Sequence, residues 1–145
     1  MMAKRILVPL DRSERSESVL PLVADLARSA GATVRLLNVT PYSRTRFSED
    51  NRVISYAHQQ EERDARDAEL WLRGFEPLLD GIAVEYRVRI GDPREEILRE
   101  AEVFGADAIV LRASPWRWWR RTLGRVARRV RARAETPVVL LSEAA

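Results

Sequence analysis

Asp11 directly follows the apolar run KRILVPL, and residues 112–125, RASPWRWWRRTLGR, set three of the chain's four tryptophans among arginines. A carboxylate at the end of a buried strand is either a ligand contact or a turn residue that helps start the next helix. The second stretch has three readings. Arginine side chains can hold an anion there. Trp116, Trp118, Trp119, Arg117, Arg120 and Arg121 can form a partner surface, since aromatics and arginines dominate binding hot spots. Or the tryptophans cap the end of a sheet, with solvated arginines stacked over them. Other chemistry is absent. There is no cysteine, hence no thiolate nucleophile or zinc–cysteine site. His58, the only histidine, lies in a polar stretch with no nucleophile beside it and reads as a surface residue. No triad, metal cluster or paired carboxylates stand at interpretable spacings, so no catalytic or metal residue is assigned and the chain reads as a non-enzyme.

These residues must be positioned by a single domain, 1–145, of ordinary globular composition: 46% apolar and 32% charged. No apolar run approaches the ~20 residues that cross a bilayer, and the N-terminus lacks the pattern of a signal peptide. A soluble, cytoplasmic protein is expected, without membrane contact. The net charge of +3 is unevenly spread: nine arginines and no acid fall between Arg112 and Ala134, while the rest of the chain carries 16 basic against 22 acidic residues. Such polarity makes an anionic partner an alternative, but no nucleic-acid recognition motif accompanies the charge and nucleic acid is not favoured.

Periodicity supplies the elements. Lys4–Leu10 reads as a strand buried on both faces. A helix follows, with Val19, Leu22, Val23, Leu26 and Ala30 on one face and Gly31 ending it. Thr33–Val39 is a second strand and 40–56 an irregular, mobile segment. A helix from about His58 to Leu79 turns Ala65, Ala68, Leu72, Phe75 and Leu79 inward. Its Glu61, Glu62, Asp64, Asp67 and Glu69, alternating with Arg63 and Arg66, read as a solvated face. Ala83–Ile90 alternates like an edge strand with one solvated face. Gly91-Asp92-Pro93 starts a helix, with Asp92 as cap and Glu95 completing a capping-box-like pair. Ile97, Ala101 and Phe104 face inward and Gly105 stops the helix. Ala106–Leu111 is a buried strand, Thr122–Ala134 an arginine-rich amphipathic helix, and Thr136–Leu141 the last strand. Strict β/α alternation implies a parallel sheet covered on both faces, with ligands beyond the carboxyl ends of the strands. Asp11, Val39-Thr40 and Arg112–Arg121 all lie at those ends.

The runs KRILVPLDRSERSESVL, GATVRLLNV, GDPREEILREAEVFGADAIVL and LGRVARRV…TPVVLL resemble the universal stress protein family over nearly the whole chain. The resemblance implies a Rossmann-like α/β fold, a five-stranded parallel sheet in order 3-2-1-4-5, and a homodimer through the last strand, here Pro137, Val138, Val139, Leu140 and Leu141. It also implies a role in stress response. One branch of the family binds ATP, with magnesium, through an Asp after strand one and a glycine loop after strand four. Onto that pattern Pro9, Leu10, Asp11, Val39, Gly124 and Val126 map as binding positions, Asp11 toward the adenosine and Val39 through its backbone. The loop departs from it: Arg112 and Pro115 replace its first two glycines, Arg125 replaces its hydroxyl residue, and it is one residue short. Backbone cradling of a triphosphate is thereby lost. The expected function is a non-enzymatic homodimeric module with weak or absent ATP binding. The alternatives are an adenine-nucleotide switch using the arginine-substituted loop, and an anion or nucleic-acid binder.

Overall fold

β1 (Arg5–Pro9) is apolar along its length because both of its faces are covered: Leu7 and Val8 point to opposite sides and neither is exposed. The computed structural model describes residues 4–12, 17–42, 51–112 and 138–141. After β1 come α1 (Leu20–Ala30), β2 (Thr33–Thr40), α2 (Asn51–Arg73) and a 3-10 turn (Glu76–Leu79). Then follow β3 (Ala83–Ile90), α3 (Pro93–Phe104), β4 (Ala108–Arg112) and β5 (Val138–Leu141). Every strand pair is parallel, in order β3-β2-β1-β4-β5. The expected α/β architecture, a parallel sheet between helices, is the one observed. One apolar layer packs Ile6, Val8, Leu36 and Val110 of the sheet against Val23 of α1 and Leu72 of α2. The other packs Leu7, Leu37 and Ile109 against Ile97 and Phe104 of α3. The helix expected over 122–134 lies outside the described residues.

Three elements differ from expectation. α1 buries Val19, Leu20, Val23, Ala24 and Ala27, while Leu26 is exposed. Two helical stripes overlap in VLPLVADLA, and the one carrying two alanines lets the helix approach the sheet closely, so that face packs. α2 begins at Asn51, inside the stretch expected to be irregular, and ends at Arg73 rather than running to Leu79. Gly74 and Pro77 explain the early end, since proline lacks the N–H a continuing helix requires, and a 3-10 turn still buries Leu79. Glu61 of α2 is buried, not solvated. At α3 the Asp92 carboxylate accepts from the Arg94 N–H at 3.0 Å, with Pro93 in the first turn. Glu95 instead stands 3.9 Å from Arg99, one turn on. Gly105 ends the helix at φ 69, a left-handed conformation that glycine adopts without strain.

The outer row of β3 is not simply solvated. Arg87 and Arg89 reach over the sheet to α3, where Glu96 and Glu100, one turn apart, are both buried. Glu100 is fully covered and accepts from Arg35 Nη1 at 2.8 Å, Arg89 Nε at 2.8 Å and Arg87 Nε at 3.2 Å. Glu96 accepts from Arg89 at 3.1 Å and Arg99 at 2.7 Å. Arg35 also bonds Glu85 and lies 4.1 Å above the Phe104 ring. Gly91 completes the packing: at φ +147 a Cβ there would stand 3.1 Å from the Glu96 side chain. Burial alone would raise the Glu100 pKa, but the hydrogen bonds from Arg89 and Arg35 outweigh it and hold the group below its ordinary 4.5.

A carboxylate depressed in the folded state stabilises the fold above its unfolded pKa, and that contribution is lost as pH falls through the folded value. Urea unfolding should therefore show stability declining below about pH 4.5, and less so in Glu100→Gln. At neutral pH that substitution should cost about 3–5 kcal/mol, because three guanidiniums lose their shared counter-charge. On the opposite face of β3 the Tyr86 hydroxyl is buried with no hydrogen-bond partner among the described residues, and burial raises its pKa. Tyr86→Phe should leave stability unchanged or raise it by up to about 1 kcal/mol in the same assay.

Candidate ligand cleft

β2 alternates its side chains between the two layers. Leu37 and Val39 pack toward α3, while Leu36, Asn38 and Thr40 turn toward α1 and α2. Asn38 is buried, yet both ends of its amide are used. Its Nδ2 donates to the Leu10 carbonyl at 2.9 Å, and its Oδ1 accepts from the Thr40 hydroxyl at 3.1 Å. The Leu10 N–H in turn donates to the Leu37 carbonyl at 2.7 Å. The chain leaving β1 is thus fastened to the end of β2, and Asp11 emerges from a fixed backbone. The Thr40 carbonyl accepts from the Gly91 N–H at 2.9 Å, which ties the end of β2 to the start of α3.

Beyond these strand ends opens a cavity of about 400 Å³, within the usual range for small-molecule sites. The segment after β1 supplies Asp11 and Arg12 to its lining, β2 supplies Asn38, Val39 and Thr40 with Pro41 just beyond it, and α2 supplies Asp64 and Asp67. Val39 packs against the α3 layer, so the cleft meets β2 here largely as backbone. The Arg12 guanidinium stands 5.6 Å over the Trp71 ring, itself edge-on to Phe75 at 5.1 Å. That contact holds the loop after β1 against α2. Asp64 accepts from Gln60 at 3.0 Å, one turn back on the helix.

Of the residues singled out from the sequence, Asp11 and Val39 line this cleft. Pro9 and Leu10 lie beside it, but the Leu10 side chain is in the core and only its backbone serves the site. The N-cap of α1 is Val19, and the expected part of Asp11 in starting the first helix turns on residues 13–16, which lie outside the described residues. Arg112 closes β4. Gly124, Arg125, Val126, the Trp116–Arg121 stretch and Pro137 lie outside the described residues. Val138–Leu141 form the sheet edge opposite β3. His58 is exposed, 4.0 Å from Glu61. Sequence reasoning missed Asn38, although a lone amide within LLNV is a signal that buried polar groups need partners. It also assigned Asp64 and Asp67 to a solvated face, although their i, i+3 spacing places both on one side of α2. Among the described residues no cluster of histidine and acidic side chains is arranged to hold a metal ion, and no helix is long and apolar enough to cross a membrane.

The sequence profile of the universal stress protein family matches residues 2–142. The chain belongs to that family. Among solved structures, hypothetical protein MJ0577 is similar at 21% identity, covering 100% of this chain and 99% of that one, with a TM-score of 0.79. The universal stress protein UspA from Lactobacillus plantarum is similar at 19% identity, covering 97% and 99%, with a TM-score of 0.74. At these identities both share the fold. The universal stress protein from Archaeoglobus fulgidus in complex with dAMP is 25% identical, covering 97% and 98%, with a TM-score of 0.55. No curated protein matches the chain.

The Asn38 amide is expected to hold the cleft open in this universal stress protein. Asn38→Leu should cost about 1–3 kcal/mol, since the Leu10 carbonyl loses its buried donor. Hydrogen exchange should then quicken at the amides of Asp11 and Arg12 while those of α3 stay protected.

Proposed function

We propose that this protein is a non-enzymatic regulatory module whose cleft receives the adenosine portion of an adenine nucleotide, with little hold on a triphosphate. The observation that carries the reading is the cavity at the ends of β1 and β2, lined by Asp11 and Val39. Asp11 is an acceptor for ribose hydroxyls, and Val39 and Thr40 offer peptide groups to a base edge. The dAMP complex of the Archaeoglobus relative supports an adenine nucleotide as the ligand class. Weak phosphate binding follows from the sequence after β4, where Arg112, Pro115 and Arg125 replace the residues that bring backbone N–H groups to phosphates. No general base is assigned, so hydrolysis is no part of the reading. Homodimerisation through the β5 edge, in the cytoplasm, completes it; an edge strand is a ready template for pairing with a second copy.

Calorimetry with ATP and magnesium tests the reading. Affinity weaker than about 100 µM, on the order of −5.5 kcal/mol, is expected, with adenosine retaining measurable binding that Asp11→Ala reduces about tenfold. Tighter ATP binding would instead favour a nucleotide switch with an arginine-built phosphate site. Binding that Asp11→Ala leaves unchanged would remove this cleft as its location.

A further inference from the structure

The cleft has a charge pattern that bears on what it accepts. Asp11 faces it from the end of β1, and Asp64 and Asp67 face it from successive positions on one side of α2. Arg12 is the one cation in its lining among the described residues, and its guanidinium stands over the Trp71 ring. Gln60 donates to Asp64 but brings no charge. Among the described lining residues these three carboxylates contribute a negative potential on the α2 side of the cleft. Carboxylates accept hydrogen bonds and donate none, so they suit hydroxyl and amine donors and oppose phosphate oxygens.

From this we infer that Asp64 and Asp67 are specificity-determining residues that make the cleft select an uncharged nucleoside over its phosphorylated forms. The inference rests on the adenosine reading of the same cleft and adds the ligand's charge class to it. The strand ends recognise the nucleoside, and the α2 carboxylates penalise each negative charge it carries. A dianion within about 8 Å of one carboxylate, in a water-like medium, is disfavoured about fivefold. Two carboxylates compound to about 25-fold without salt, and screening at about 20 mM ionic strength leaves a shift of roughly an order of magnitude in the ratio of nucleoside to monophosphate affinity. Asp67 carries the cleaner share of this effect, because it has no hydrogen-bonding neighbour on the helix of the kind Gln60 provides for Asp64.

The test is titration of the full chain with adenosine, AMP and ATP, in the wild type and in Asp64→Asn, Asp67→Asn and the double variant. The folded state of each is checked by its thermal midpoint. Adenosine is expected to bind several-fold tighter than AMP in the wild type. The double variant should move the ratio toward AMP by at least about tenfold, with each single variant in between. Raising the ionic strength from about 20 mM to about 300 mM should strengthen AMP binding in the wild type, since screening weakens repulsion. A ratio unchanged within threefold in the double variant, or AMP binding that weakens with salt, would overturn the inference while leaving the adenosine site intact. Binding of none of the three ligands would overturn the adenosine reading and the inference with it.

Discussion

One buried carboxylate fixes how the sheet meets α3. Glu100 has no exposed surface, and it is tolerated there because Arg35 of β2 and Arg87 and Arg89 of β3 all donate to it. A charge taken out of water is costly unless its partners are placed correctly, so this cluster admits few arrangements. It ties the edge strand to its neighbour and to the helix at once. It also sets the register of β2. A slip of one residue would turn Arg35 into the apolar layer and carry Asn38 to the opposite face, away from the Leu10 carbonyl. The ion cluster on one face of β2 and the amide clamp on the other thus depend on the same alignment.

The cleft is a consequence of that alignment. β1 and β2 run side by side from Arg5↔Thr33 to Pro9↔Leu37, and the Asn38 amide carries the pairing one step past the last ladder position. Asp11 therefore leaves the sheet in a set direction. α2 closes the other wall, with Arg12 seated over Trp71. Membership in the universal stress protein family is consistent with a ligand at this place, but the character of the site comes from this chain's own residues. Its lining is acidic on the α2 side, and the sequence after β4 carries Arg112, Pro115 and Arg125.

Much of this was legible in the sequence. The doubly covered β1, the Asp92-Pro93 helix start, the Gly105 stop and the alternating edge strand all follow from local rules that tertiary packing did not override. Asp11 and Val39, which line the cleft, are singled out by the rule that ligands of parallel sheets bind beyond the strand ends. What escaped were features that depend on distance along the chain. Arg35, Arg87, Arg89 and Glu100 come from three elements, and nothing local separates a buried glutamate on α3 from a solvated one. Asp64 and Asp67 looked like members of a charged helix face because the sequence does not say which side of α2 overhangs the strand ends. The start of α2 at Asn51 was hidden for a related reason: VISYA is one short apolar run in a polar context, too brief for a helical period to be read.

The central claim is that a nucleoside sits at the ends of β1 and β2, held by the strand ends and bounded by α2. Amide NMR spectra recorded during an adenosine titration address it directly. The account predicts saturable shifts concentrated at Asp11, Val39, Thr40, Asp64 and Asp67, with the amides of α3 little changed. Shifts confined to the arginine-rich residues 112–133, or no saturable shift at the strand ends, would contradict it.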